Sequence, residues 1–116
     1  MTQDNRVPMA APGRAYISQK ATIDSAIEGV LNQGHYIQGA ECERFEKAFA
    51  KWTGAEHGIA VASGTDALTI ALRSVGIKAG DGIVTAANTA GATIAAIQAC
   101  GCIPLLADIN EKTMNI

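Results

Sequence analysis

The chain has 116 residues, of which 48% are hydrophobic and 17% are charged. This length and composition suit one globular domain and exclude a disordered chain. The formal net charge of −2 gives no long-range attraction to nucleic acid or to an anionic membrane, and no apolar run reaches the roughly 18 residues of a membrane span. Residues 1–6 lack the basic and then apolar order of a secretory signal, so we predict a cytoplasmic protein.

The chain contains three cysteines, Cys42, Cys100 and Cys102, and an odd number agrees with a reducing compartment. A redox or metal pair at Cys100-Gly101-Cys102 is the alternative. One intervening residue is short for a tetrahedral metal site, however, and no second pair completes it. We therefore interpret the three cysteines as packing residues and predict no metal site.

Residues 1–17 are polar, contain two prolines and show no hydrophobic period, which predicts an N-terminal arm. A helical period begins at Ser18 and stops at Gly34. Its apolar stripe consists of Ile23, Ile27, Val30 and Leu31. We therefore divide the chain into an arm and a domain that covers residues 18–116.

A second helix is predicted between about Ala40 and Trp52, and Gly54 ends it. Glu43 stands four residues before Lys47, the spacing of an exposed ion pair. The apolar stripe of this helix consists of Cys42, Phe45, Phe49 and Trp52.

After Gly54, short apolar strands alternate with amphipathic helices. The predicted strands are His57–Ala62, Ile83–Ala86 and Ile103–Ala107, separated by helices at Thr65–Val75 and Thr89–Ala99. The predicted buried face of the first of these helices consists of Leu68, Ala71, Leu72 and Val75. Connections of this length predict parallel strands with helices packed on the sheet, which is an α/β fold.

The run from Ala60 to Leu68 is the most informative segment, because a short apolar strand there turns through Gly64 directly into a helix. The first N–H groups of a helix lack partners and lie at the positive end of its dipole, so this turn is a candidate phosphate site. Gly64 lets a ligand oxygen approach the backbone, and Ser63 and Thr65 add hydroxyls. A capping box formed by Ser63 and Asp66 explains the same residues without a ligand.

A second loop, Ala87–Gly91, follows the next predicted strand and is rich in small residues. Ligands of parallel sheets gather at the carboxyl ends of the strands, so we predict that this loop meets Ser63, Gly64 and Thr65 at one mouth. A flexible connection is the alternative.

The order and spacing of these motifs resemble those of the DegT/DnrJ/StrS family of sugar aminotransferases over about residues 16–116. The similar segments are Gly34–Gly39, Phe45–Ala50, Ser63–Leu68, Gly80-Asp81, Thr89 with Ala92-Thr93, and Gly101 with Pro104 and Asp108-Ile109. The resemblance implies the N-terminal part of the large domain of a fold-type I enzyme that depends on pyridoxal phosphate. In this part, two helices precede a βαβαβ unit of a mainly parallel sheet.

The resemblance also implies a homodimer whose substrate is a nucleotide-linked keto sugar, which receives an amino group from glutamate or glutamine. Ser63, Gly64 and Thr65 correspond to positions that hold the cofactor phosphate, so the resemblance favours the phosphate interpretation over a bare cap. Ala90 falls where the family commonly places an aromatic ring against the pyridine. A methyl group there would lose a stacking contact worth roughly 0.5–1.5 kcal/mol.

The resemblance places the family's catalytic lysine, and the aspartate for the pyridine nitrogen, beyond Ile116, so we expect this chain by itself to be inactive. Lys78 lies in the loop before the second predicted strand, at the end of the sheet opposite the mouth, and Lys112 lies in a polar turn. We interpret both as surface residues. His35 and His57 are likewise interpreted as surface or structural residues.

Two hypotheses from different classes stay open. The chain is either the N-terminal fragment of a sugar aminotransferase or a non-catalytic module that binds a phosphate ligand or a full-length partner. Within the enzyme class, a pyridoxal-phosphate-dependent sugar dehydratase is the alternative, since some relatives use histidine in place of the lysine. In either case a sheet of three strands leaves helix faces uncovered, so we predict association or partial disorder of the isolated chain.

Overall fold

The computed structural model describes residues 7–116 and has the α/β fold that the sequence predicts. The elements of these residues are α1 (Pro12–Gln33), α2 (Ala40–Thr53), α3 (Gly64–Ser74), β1 (Gly82–Ala86), α4 (Gly91–Ala99) and β2 (Ile103–Ala107). They fall into two compact units, a first unit that ends at Gly58 and a second unit, Ile59–Ile116. In the described part of the chain, no helix is both long enough and apolar enough to cross a bilayer.

Helix α1 begins at Pro12, earlier than the predicted start at Ser18, so the interpretation of residues 12–17 as an irregular arm is wrong. Proline suits a first helical turn because its φ is already helical and its missing N–H would have no partner there. Gln19 has non-helical angles (φ −122°, ψ 17°), and this kink separates the early turns from the amphipathic part of the helix. The remainder of the predicted arm includes residues 1–6, which lie outside the described residues.

Helix α2 confirms the second predicted helix, and it ends at Gly54 in the left-handed conformation (φ 75°). Glu41 and Glu43 lie in its first turn and Lys51 in its last, which matches the helix dipole. The exposed pair predicted between Glu43 and Lys47 is present at 3.9 Å.

The aromatic side chains of α2 are largely uncovered. Phe45, Phe49 and Trp52 are 61%, 46% and 80% exposed. The ring centroids of Phe45 and Phe49 lie 5.6 Å apart, so the rings contact each other while their outer faces meet solvent. The uncovered helix faces expected from the sequence are therefore present on α2.

The second unit is built around a β1-α4-β2 unit. Strands β1 and β2 are parallel, with a register that runs from Gly82 opposite Ile103 to Ala86 opposite Ala107. A Cβ at Gly82 would lie 2.7 Å from Leu105 Cδ1, so a side chain at this position would displace that leucine. Helix α4 contacts both α3 and β2, and the buried residues of the unit are Ala96, Ile97 and Cys102.

The first predicted strand, His57–Ala62, is not a strand in the structure. The described sheet pairs β1 only with β2, while Ile59 is 81% and Val61 is 36% exposed. An alternating apolar pattern favours an extended backbone, but a strand forms only where a neighbouring strand pairs with it.

The predicted buried face of α3 is also wrong. Leu68 is 39% exposed and Val75 is 76% exposed, Ala71 is exposed, and Leu72 is only half-buried. The element that packs on α3 is α4, a shorter helix. A helical period shows that one face is apolar, whereas burial requires a partner that covers that face.

Candidate functional site

The N-terminus of α3 is capped by Ser63, whose backbone is extended (φ −157°, ψ 166°). The Ser63 hydroxyl oxygen accepts the Asp66 N–H at 3.1 Å, as a capping box requires. The Asp66 carboxylate, however, accepts a hydrogen bond of 2.9 Å from the Ser63 hydroxyl. The cap predicted from the sequence is therefore present, with the two side chains bonded to each other.

The cap leaves other donors of the first turn available. Ala67 N–H donates to Ser63 O at 3.0 Å, whereas within residues 7–116 the N–H groups of Gly64 and Thr65 have no acceptor. They lie at the positive end of an α-helix of 11 residues. Ser63 and Gly64 are exposed and Thr65 is half-buried, so this end of the helix is open to a ligand.

Gly64 faces open space. A Cβ at this position would have no heavy atom within 4 Å, and its φ lies outside the left-handed region. Packing within the chain therefore gives no reason for glycine, although glycine is about 1 kcal/mol less favourable than alanine inside a helix. The open space and the two donors fit a phosphate group, whose oxygens need close approach to a backbone.

The second predicted loop leads into α4, for which Ala90 is the N-cap (φ −64°, ψ 144°) without a side-chain cap. Ala90 is exposed, and a Cβ on Gly91 would meet nothing within 4 Å. The hydroxyls of Thr89 and Thr93 are 2.9 Å apart and brace this turn. Open space therefore lies beside Ala90 at the start of α4.

Helices α3 and α4 belong to the same unit and are joined by hydrogen bonds away from their first turns. Arg73 Nη2 donates to Ala99 O at 3.3 Å, and Cys100 Sγ lies 3.6 Å from Thr69 O. These contacts involve the second half of α3 and the C-terminal end of α4. The meeting of Ser63, Gly64 and Thr65 with Ala90 at one mouth stays a prediction.

The two lysines singled out in the sequence are exposed, as predicted. Lys78 precedes β1 and so lies at the amino end of that strand, where its N–H donates to Asp81 Oδ2 at 2.7 Å. Lys112 lies in a turn in which its N–H donates to Asn110 Oδ1 at 2.9 Å.

Both histidines lie at the surface of the first unit. His35 is exposed in the loop between α1 and α2. The His57 side chain is 80% exposed and lies 3.4 Å from a Glu56 carboxylate oxygen. Both histidines are exposed, as the surface interpretation predicts, and their role stays a prediction.

The cysteines differ in environment. Cys102 is 6% exposed, its Sγ lies 3.4 Å from Lys78 O, and burial raises the pKa of its thiol. Cys100 is half-buried, so the packing interpretation is confirmed for these two. It is wrong for Cys42, which is exposed on the first turn of α2. In the described range, no three histidine, cysteine or acidic side chains gather as a metal site requires.

The fold is similar to that of solved structures of one class of protein. A DegT/DnrJ/EryC1/StrS aminotransferase from Brucella abortus superposes with a TM-score of 0.88 at 30% identity, over 94% of this chain and 29% of that one. The GDP-4-keto-6-deoxy-D-mannose-3-dehydratase of E. coli, with bound hydrated pyridoxal phosphate, superposes with a TM-score of 0.73 at 28% identity, over 79% of this chain and 25% of that one. The fold is that of pyridoxal-phosphate-dependent aminotransferases.

Sequence comparison then identifies the family. The model of the DegT/DnrJ/EryC1/StrS aminotransferase family matches residues 18–116, and the chain belongs to this family. A curated relative, the dTDP-3-amino-3,6-dideoxy-alpha-D-galactopyranose transaminase of Aneurinibacillus thermoaerophilus, is 43% identical over 81% of this chain and 26% of its own length. The chain thus spans about a quarter of the length of that relative. The cofactor of the family is pyridoxal phosphate.

Proposed function

We propose that this chain is the N-terminal part of a pyridoxal-phosphate-dependent aminotransferase that acts on a nucleotide-linked keto sugar. Glutamate or glutamine is the proposed amino donor. Family membership and the name of the 43% identical transaminase support the reaction class. The observation that carries the site is the first turn of α3, where the N–H groups of Gly64 and Thr65 lack acceptors beside open space.

In this proposal, each residue of the turn has a separate task. The N–H groups of Gly64 and Thr65 donate to phosphate oxygens, and the Thr65 hydroxyl adds a third donor. Ser63 keeps the first turn formed by capping Asp66 N–H. The helix dipole contributes on the order of 1–2 kcal/mol to holding a phosphate in a partly buried geometry.

When bound, pyridoxal phosphate supplies the electron sink that amino transfer requires. The groups that would work on its ring are proposed to lie in sequence that follows Ile116, because Lys78 precedes β1 at its amino end and Lys112 is an exposed residue of a turn. If Ala90 lies beside the pyridine ring, its methyl group would offer that ring no aromatic stacking partner. We therefore propose that residues 7–116 bind and orient the phosphate without completing the reaction.

The test measures binding of pyridoxamine phosphate, with pyridoxamine as the ligand without phosphate, by equilibrium dialysis with the purified chain. Pyridoxamine has no aldehyde, so surface lysines do not react with it. Gly64→Ala places a methyl group where the phosphate approaches, and we expect about tenfold weaker binding of the phosphate ligand alone.

Gly29→Ala is the matched control, because Gly29 also lies in a helix and its Cβ would also meet nothing within 4 Å. Thr65→Val should weaken binding and Thr65→Ser should restore it, since serine keeps the hydroxyl. If the original chain, Gly64→Ala and Thr65→Val bind pyridoxamine phosphate equally well, residues 63–65 form only a helix cap and not a phosphate site.

A dehydratase is the second candidate, favoured by the structural similarity to the E. coli sugar dehydratase. The discriminating observation is the residue that stands at the family's lysine position in the complete coding sequence. Lysine there supports the aminotransferase and histidine supports the dehydratase. A native mass equal to residues 1–116 alone would instead support a non-catalytic binding module.

We further propose a cytoplasmic homodimer in which residues 18–116 form the domain and residues 1–17, helical from Pro12 onward, precede it as an arm. The exposed aromatic face of α2 supports association, because exposed aromatic rings favour contact with another apolar surface. Sedimentation of the complete protein tests the dimer, and a monomer at micromolar concentration would contradict it.

A further inference from the structure

The Ser63 hydroxyl takes part in two hydrogen bonds with Asp66. It donates its single proton to Asp66 Oδ2 at an oxygen–oxygen distance of 2.9 Å, and its oxygen accepts the backbone N–H of Asp66 at 3.1 Å. A hydroxyl has one donor and two acceptor positions, so only an acceptor position remains for a ligand. A deprotonated phosphate oxygen has no proton to give, and Ser63 in this arrangement offers it no hydrogen bond.

We propose that Asp66 competes with the phosphate for the Ser63 hydroxyl proton and thereby lowers the affinity of the α3 turn for phosphate. This inference rests on the proposed function and concerns the regulation of the same site. When phosphate binds, the Ser63 O–H turns from the Asp66 carboxylate to a phosphate oxygen, and no covalent bond changes. Asp66 is exposed, so water replaces part of the lost hydrogen bond, and the part that water does not replace is the loss of phosphate affinity.

The helix cap is separable from this competition. Ser63 caps α3 by accepting the backbone N–H of residue 66, which any amino acid except proline provides. Removal of the Asp66 carboxylate therefore frees the hydroxyl proton and leaves the cap in place. A purely structural role of Asp66 predicts the opposite result, because a weakened first turn would bind phosphate less well.

Asp66 also acts through its charge. Its carboxylate repels a phosphate at the adjacent N–H groups, and salt screens this repulsion over a Debye length of about 8 Å at physiological ionic strength. Competition for the proton is a short-range effect that passes through Ser63. The two contributions differ in their dependence on salt and on the presence of the hydroxyl.

The experiment is a double-mutant cycle with pyridoxamine phosphate as the probe. The chain is compared with Asp66→Ala, Ser63→Ala and the double variant at low and physiological salt. We expect Asp66→Ala to bind about threefold to tenfold more tightly than the original chain at both salt concentrations. In the Ser63→Ala background, the same substitution should change affinity by less than about twofold at physiological salt, because the contested proton is gone.

Glu28→Ala controls for net charge, since Glu28 is an exposed carboxylate of α1. Asp66→Asn keeps the side-chain volume and an acceptor oxygen, and it provides the same comparison if Asp66→Ala unfolds the chain. Its gain in affinity should be smaller, because a neutral amide oxygen competes less well for the proton.

Unchanged or weaker binding by Asp66→Ala and Asp66→Asn would overturn the inference. An equal gain with and without Ser63 would also overturn it, because the effect would then be charge alone. If Gly64→Ala weakens binding while the Asp66 variants do not strengthen it, the inference fails and the proposed function stands. If the original chain shows no preference for the phosphorylated probe, both fail.

Discussion

The two units of the chain bury their apolar side chains to different extents. In the described part of the first unit, the buried hydrophobic residue is the small Ala50, at 5% exposure, while Trp52 on the same helix is 80% exposed. In the second unit, Ala96, Ile97 and Cys102 are 0%, 1% and 6% exposed. The second unit packs α4 against α3 and against strand β2, and this packing covers part of the helix.

The difference shows that amphipathic sequence alone does not form a core. Helix α2 has the stronger apolar stripe, with three aromatic residues that contact one another. Helix α4 is made mainly of alanine and isoleucine, yet it contains the large side chain that is buried most completely, Ile97. Coverage by neighbouring elements, and not side-chain size, decides which residues stabilise this chain.

The largest test of this difference compares Ile97→Ala with Trp52→Ala. Ile97→Ala removes a fully buried side chain and should lower the free energy of unfolding by about 2–5 kcal/mol. Trp52→Ala removes a larger but exposed side chain and should change the free energy of unfolding by about 0.5 kcal/mol or less. Urea titration followed by circular dichroism measures both, and similar losses would show that the two units do not differ as described.

A second test examines a close approach within the first unit. A Cβ at Gly58 would lie 2.5 Å from the Glu46 carbonyl oxygen, so Gly58→Ala should destabilise that unit by about 1–3 kcal/mol. Gly29→Ala, where a Cβ meets nothing within 4 Å, should instead stabilise α1 by up to about 1 kcal/mol. Thermal unfolding should therefore show a lower melting temperature for Gly58→Ala and a higher one for Gly29→Ala. If Gly58→Ala leaves the melting temperature unchanged, the contact between Gly58 and the Glu46 carbonyl is loosely packed.

A third test uses the thiols as reporters of the two units. Cys42 is exposed in the first unit, whereas Cys102 is buried in the second with a raised pKa. Since only the thiolate reacts, Cys42 should be alkylated by iodoacetamide about tenfold faster or more at neutral pH. The rate at Cys102 should keep rising with pH above the usual thiol range. Peptide mass spectrometry follows each site, and equal rates would show that the second unit opens freely.

Local elements were predictable from the sequence where neighbours along the chain determine them. Helix α2 was predicted within a residue at its end, and β2 matches the predicted Ile103–Ala107. The positive φ of Gly34 and of Gly54 explains why those two glycines mark helix ends. The start of α1 at Pro12 was not predicted, because the sequence does not distinguish a proline in the first turn of a helix from a proline in a loop.

The candidate site was predictable in its residues and not in its bonding. The pattern Ser63-x-x-Asp66 predicted a cap, and Ser63 does cap α3. Sequence reasoning missed the bond from the Ser63 hydroxyl to the Asp66 carboxylate, because the same spacing allows either a backbone or a side-chain contact for that carboxylate. No signal in the sequence distinguishes these two contacts.

The sequence by itself determined the helices α2 and α3, the β1-α4-β2 order, the glycine at the first turn of α3 and the resemblance that the family match confirms. Tertiary structure alone decided that residues 57–62 form no strand, that the apolar face of α3 stays largely exposed and that Ile97 is buried. The physical reason is the range of the interactions. Helical periods, caps and turns depend on residues a few positions apart, whereas strand pairing and burial depend on surfaces that distant parts of a chain provide.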